Sequence, residues 1–187
     1  MTPLVLFALA LCIFHGSEFA LTFCYNREHI SRRSWLLSWP YCIAMGASLV
    51  EYGLERTLMP SLKTGTLTTR LGLLMIVAGE ALRKTGMVTA THNFTHAIAS
   101  QRTERHRLVT HGVYGFMRHP GYAGWALWAI GTQVLLANPV CTPAFLAVVW
   151  RFFRSRVEYE DALLLSFFGQ QFQEYKASVP SGILGIP

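Results

Sequence analysis

Residues able to do chemistry concentrate in two short stretches of this sequence. The first is His106-Arg107-Leu108-Val109-Thr110-His111-Gly112-Val113-Tyr114, followed by Arg118-His119-Pro120-Gly121-Tyr122-Ala123-Gly124. The second is Arg151-Phe152-Phe153-Arg154-Ser155-Arg156-Val157-Glu158-Tyr159-Glu160-Asp161. Such a mixture of cations, imidazoles and carboxylates can hold a polar ligand, or it can pair internally. Arg156 and Glu160 are four positions apart, so a helix sets them on one face with about 5–6 Å between Cβ atoms. On spacing alone, an exposed ion pair worth at most about 0.5 kcal/mol is the commoner outcome. His119-Pro120 reads first as a helix start with proline in the opening turn. Spacing leaves the structural and functional readings both open.

The elements that must position these residues are set by an apolar composition. The 187 residues are 52% hydrophobic, 13% aromatic and 14% charged. Soluble domains carry about 25% charged residues. With a mean hydropathy of +0.33, the deficit implies a surface that faces lipid. The net charge of +6 fits basic loops at an anionic leaflet. No basic run alternates with exposed aromatics, which argues against nucleic acid. Cys12, Cys24, Cys42 and Cys141 lack metal-ligand spacing, so neither a metal nor a disulfide is expected.

A span needs about 20 mostly apolar residues. Pro3–Tyr25, Trp35 to about Leu58 and Arg70 to about Val88 meet that need, although Glu18, Glu51, Glu80 and Arg83 must then face protein or a tunnel. Residues 89–121 are polar. Tyr122 to Ala137 and Val140 to Phe153 form a hairpin about the Asn138-Pro139 turn, which returns the chain to one membrane face and lets the two clusters meet. From Arg154 a charged helix emerges, and Leu163 to Tyr175 is expected at the interface. The prediction is an all-α polytopic membrane bundle of about five membrane helices in one domain. Residues 1–88 give three helices, 89–121 a cytosolic cofactor-binding segment, 122–153 the hairpin, and 154–187 an interfacial helix and tail. The C-terminal third builds the cofactor region. Arginines after the first and third spans place those loops, and the C-terminus, on the cytosolic side.

The wording of the sequence goes further than its spacing. Leu108-Val109-Thr110-His111-Gly112-Val113-Tyr114, Arg118-His119-Pro120-Gly121-Tyr122, Gly131-Thr132-Gln133-Val134, Asn138-Pro139 and Val149-Trp150-Arg151-Phe152-Phe153 resemble the C-terminal region of protein-S-isoprenylcysteine O-methyltransferases. Upstream, His15-Gly16-Ser17-Glu18-Phe19, Gly79-Glu80-Ala81-Leu82-Arg83-Lys84 and Asn93-Phe94-Thr95-His96 are similar to the same family, so the resemblance covers nearly the whole chain.

The resemblance implies S-adenosyl-L-methionine as methyl donor, S-adenosyl-L-homocysteine as product, and prenylated CaaX-type proteins lacking the terminal tripeptide as substrates. It also implies an endoplasmic reticulum membrane location with the site facing the cytosol. His106, Arg107, Leu108, Val109 and Tyr114 match the stretch that lines the donor. His119, Pro120, Gly121 and Tyr122 match its next contact loop. Glu160 matches the acid at the donor's ammonium or ribose end, and Arg156 the arginine that holds the substrate carboxylate. Ala99 departs from a glutamine of some relatives, and Asp161 from a glutamate. Animal members carry additional N-terminal spans. A phospholipid N-methyltransferase is the alternative enzyme; a sterol reductase and a membrane scaffold are weaker ones.

Overall fold

The structure, a computed structural model, describes the backbone of all 187 residues and the side chains of all but His29, Arg32 and Arg33. Six α-helices carry the fold: α1 Pro3–Tyr25, α2 Trp39–Leu58, α3 Thr66–Ala90, α4 Pro120–Leu135, α5 Cys141–Phe168 and α6 Gln170–Ser178. By length and composition α1 is apolar enough to cross a membrane; among the described residues no other helix passes that test. Charged side chains in α2 and α3 lower their hydropathy, yet Glu55, Glu80, Arg83 and Lys84 are paired with other side chains of the protein.

The tightest packing joins α3 to α4, and glycine makes it. Gly72, Gly79 and Gly86 recur every seven residues on α3, and Gly124 and Gly131 do so on α4. A Cβ on Gly79 would lie 2.5 Å from the Trp128 nitrogen, and one on Gly124 2.6 Å from the Arg83 nitrogen. The two backbones therefore touch, as small residues permit in membrane bundles.

Buried charge fixes the third partner. Glu18 on α1 is fully buried and accepts from Arg83 Nε and Nη2 at 2.6 and 2.8 Å, from Lys84, and from His96 Nε2 at 2.6 Å. Arg83 Nη1 also donates to the Gly121 carbonyl, 2.9 Å away. Glu80 accepts from the Ser17 hydroxyl at 2.8 Å. These acids and cations thus join helices, and Arg83 in addition borders a cavity described below.

At the opposite end, Lys63 donates to the carbonyls of Leu136 and Ala137, both at 2.9 Å, and pairs with Glu55 at 2.5 Å. A cation there offsets the negative C-terminal end of α4. Glu51 accepts from the Val140 and Cys141 N–H groups, both at 2.7 Å, which caps α5.

Several boundaries differ from expectation, the start of the third helix at Thr66 rather than Arg70 among them. The second helix starts at Trp39 rather than Trp35, because Ser38 caps it and Pro40 fills its first turn. The expected division at 153/154 falls inside α5, which runs unbroken through the charged stretch. No glycine or proline follows Pro143 until Gly169, where φ is +56° and the helix ends.

Candidate functional site

The hairpin brings the two polar clusters together. Arg118 and His119 precede α4, and Asp161 on α5 meets both. Arg118 Nη2 lies 3.0 Å from Asp161 Oδ2, and His119 Nε2 lies 2.9 Å from Asp161 Oδ1. Lys176 on α6 joins the same carboxylate at 2.8 Å.

Arg118 also holds the C-terminal tail. Its guanidinium donates to the Val179 carbonyl and, at 2.9 Å, to that of Pro187. The backbone N–H groups of Arg118 and His119 donate to Pro180 and Ser181 at 2.9 Å each. The Tyr175 hydroxyl donates to the Tyr114 carbonyl at 2.6 Å. The last ten residues are therefore part of the wall that supports the site.

One cavity, of about 140 Å³, lies between the 93–109 segment, the start of α4, the end of α5 and α6. His106, Arg107, Leu108, Val109, Tyr114, His119, Gly121, Tyr122 and Glu160 all line it. Pro120 does not; it is buried against Gly86 of α3, where its ring lies 3.2 Å from the place of a Cβ. Glu160 Oε2 is buried without a hydrogen-bond partner and lies 3.6 Å from His119 Nδ1. An unpartnered buried carboxylate oxygen on a cavity wall suits a ligand that brings an N–H, an O–H or a positive charge. Gly121 has its own reason to be glycine, since a Cβ would meet the Phe94 ring at 2.7 Å.

Leu163, Leu164, Phe167, Phe168, Phe172 and Tyr175 complete this wall. The segment expected at the interface thus turns an apolar face to the cavity. Burial raises the Tyr114 hydroxyl above the ordinary tyrosine range and pushes that of Tyr175 up to about 12, so both remain neutral hydrogen-bonding groups. Ala99 also lines the cavity, whose wall there carries only a methyl group.

A second cavity, of about 470 Å³ and mostly apolar, lies between α2 and α5. Pro40, Tyr41, Ala44 and Met45 form one side, and Phe145, Val149, Phe152 and Phe153 the other. Val148 and Phe152 on its rim are 68% and 51% exposed, so it opens on the outer surface of the bundle.

The two cavities share Phe94, Thr95 and Tyr122, and Arg156 stands at their junction. Arg156 Nε donates to the Tyr122 hydroxyl at 2.9 Å, and Nη2 donates to the His96 carbonyl at 2.7 Å. The exposed i,i+4 pair is instead Arg154–Glu158, at 3.1 Å. Arg156 and Glu160 point inward and act separately. His119 stacks on Tyr122, and Tyr122 on Phe153, with centroids 5.4 and 4.9 Å apart. Sequence reasoning missed Phe94, Thr95, the α5–α6 aromatics and Asp161 as a support; only Asn93-Phe94-Thr95-His96 had drawn notice there.

Comparison with known proteins places this geometry. A sequence model of the isoprenylcysteine carboxyl methyltransferase family matches residues 71–166. A probable protein-S-isoprenylcysteine O-methyltransferase of Oryza sativa subsp. indica is 46% identical over 179 residues, 95% of this chain and 94% of that one. The Homo sapiens protein-S-isoprenylcysteine O-methyltransferase is 46% identical over 176 residues, 93% of this chain but 62% of its own length. A solved eukaryotic intramembrane Ras methyltransferase, isoprenylcysteine carboxyl methyltransferase, superposes with a TM-score of 0.94 at 40% identity, covering 96% of this chain and 65% of that one.

Proposed function

The chain belongs to the isoprenylcysteine carboxyl methyltransferase family, and from that premise we propose that it methylates the C-terminal carboxylate of prenylated cysteine with S-adenosyl-L-methionine as donor. The observation that carries this reading is the meeting, at Tyr122 and Arg156, of a cavity of mixed polar and apolar lining with a mostly apolar one. The residues of the mixed cavity fit the donor. His106, Arg107, Leu108, Val109, Tyr114, His119, Gly121, Tyr122 and Glu160, whose Oε2 has no hydrogen-bond partner, would hold it, with Pro120 supporting from behind. When bound, it supplies a methyl on a positively charged sulfur that leaves as a neutral thioether.

The protein's work is then positional. A C-terminal carboxylate has a reference pKa of about 3.3–3.7 and is ionised at neutral pH, so no side chain need remove a proton. Carrying that anion out of water costs several kcal/mol unless a charge meets it. Arg156 offers a planar fork suited to a carboxylate. Two of its nitrogens are held by Tyr122 and His96, which leaves Nη1 available to one substrate carboxylate oxygen while the other stays free to react. Fixing the two reactants in line supplies most of the acceleration.

The apolar cavity would take the prenyl chain, which enters from lipid between α2 and α5. Burial of each CH₂ is worth about 0.8 kcal/mol. α1 to α5 are read as about five membrane helices. Asn26 Nδ2 donates to the Phe94 carbonyl at 2.6 Å, and Arg105 lies 3.8 Å from Glu28, so the two basic loops share one end of the molecule. That end is assigned to the cytosol, in the endoplasmic reticulum membrane, which lets the polar donor arrive from water and prenylated CaaX-type proteins arrive from lipid.

The test is transfer of labelled methyl from S-adenosyl-L-methionine in detergent, with N-acetyl-S-farnesylcysteine and phosphatidylethanolamine offered separately. Methyl ester should form on the first and no product on the second. Turnover should hold between pH 7 and 6, because the acceptor is ionised throughout. Methylation of the lipid amine, with a fall in rate through that interval, would favour the phospholipid N-methyltransferase reading.

A further inference from the structure

The segment between α3 and α4 has little regular structure around His96, yet it is tied at both ends of one residue. The imidazole Nε2 lies 2.6 Å from Glu18 Oε2, and the backbone carbonyl accepts from Arg156 Nη2 at 2.7 Å. The anchor is rigid. Glu18 is fully buried and is also held by Arg83, through Nε and Nη2, and by Lys84. The held group is not: Arg156 sits on α5 through a flexible side chain whose second contact is the Tyr122 hydroxyl. Thr95 and His96 border the apolar cavity, so the carbonyl that orients Arg156 lies at the substrate's side of the junction.

We propose that His96 is a positioning residue for methyl transfer: its imidazole, latched to Glu18, fixes the carbonyl that sets the Arg156 guanidinium for the substrate carboxylate. The proposal rests on the Arg156 reading above. The α1–α3 charge cluster thereby reaches the substrate's side of the junction through this backbone carbonyl, as it reaches the donor cavity through Arg83 Nη1 and the Gly121 carbonyl. Releasing the imidazole leaves Arg156 charged and present, so substrate still binds. What is lost is alignment, which belongs to turnover rather than to binding.

Side-chain length makes the test selective. Glutamine carries its amide nitrogen as many bonds from Cα as histidine carries Nε2, whereas asparagine stops at the level of Nδ1. His96→Asn should lower kcat for N-acetyl-S-farnesylcysteine about ten- to a hundredfold with KM changed less than about twofold. Calorimetric affinity for S-adenosyl-L-homocysteine should be unchanged. His96→Gln should recover most of kcat. Wild-type kcat in His96→Asn overturns the proposal, as does equal impairment of the two variants. If His96→Asn also fails to bind the donor product, the glutamine variant decides: recovery of both binding and kcat supports the latch, and failure to recover them overturns it. An Arg156→Ala arm separates the two readings. Full turnover there defeats the Arg156 assignment itself, while lost turnover beside a normal His96→Asn defeats the latch alone.

Discussion

Arg156→Ala should lower methyl transfer to prenylcysteine on the order of a thousandfold while donor affinity changes little. The size follows from leaving a desolvated carboxylate without its cation, which costs roughly 3–5 kcal/mol, at about 1.4 kcal/mol per decade of rate. Donor affinity is spared because Arg156 borders the apolar cavity, and touches the donor cavity only through the Tyr122 hydroxyl 2.9 Å away. Arg156→Lys should recover little, since an ammonium keeps the charge but loses the fork that engages Tyr122, His96 and substrate together. Initial rates with N-acetyl-S-farnesylcysteine, beside calorimetry with S-adenosyl-L-homocysteine, measure both quantities. Equal turnover in wild type and Arg156→Ala would remove the arginine from the reaction.

Gly79→Ala should be among the most damaging single methyl additions in the bundle. The new Cβ would lie 2.5 Å from the Trp128 nitrogen and 2.6 Å from the Gly124 carbonyl, both backbone atoms that cannot rotate away. α3 and α4 must then separate. Overpacking of this kind costs about 1–3 kcal/mol and more where backbone is involved. Separation also strains Arg83, which connects α1 to the start of α4. Gly46→Ala and Gly53→Ala on α2 are the matched controls, with open space at the new methyl. They should be neutral, or slightly stabilising through helix propensity. Thermal loss of donor binding in detergent would report the difference; equal midpoints for Gly79→Ala and Gly46→Ala would contradict the packing account.

The helices of the first half were legible because each is written as a long apolar run, and α1 matches Pro3–Tyr25 end to end. The division expected at 153/154 lies within one helix, since α5 runs unbroken from Cys141 to Phe168. Charge was read there as an exit from lipid, but charge does not stop a helix. Arg154 and Glu158 lie outward, while Arg156 and Glu160 turn in, so one helix carries both faces. The lack of any breaker up to Gly169 was the signal that could have shown it. The heptad glycines of α3 and α4 were also in view, and their meaning needed a partner helix to become clear. Glu18, Arg83 and His96 are separated by 65 and 78 positions and meet only in three dimensions. No local pattern encodes that contact.

The residues proposed to hold the donor were picked out by resemblance, not by spacing, and all of them but Pro120 line one cavity. Spacing favoured an exposed Arg156–Glu160 pair, and the structure instead sends Arg156 to Tyr122 and His96, and Glu160 to the cavity lined by His119 and Tyr122. Asp161 looked like a mild replacement of another acid. It is the post to which Arg118, His119 and Lys176 are fastened, so it shapes the site from behind. The aromatics of α6 passed for a membrane-surface stripe because an apolar face reads the same whether lipid or a ligand covers it.

The most direct measurement is photolabelling with a cysteine whose prenyl analogue ends in a diazirine, in the presence of S-adenosyl-L-homocysteine. With the carboxylate at Arg156, the chain's far end should lie about 16 Å away, one α5 rise of 1.5 Å for each residue back to Phe145. Labels should therefore fall on Ala44, Met45, Phe145 and Val148, and unlabelled prenylcysteine should compete them away. Labels confined to α1, α3 or α6, or labels on α2 and α5 that prenylcysteine does not displace, would contradict the meeting of lipid substrate and donor at this junction.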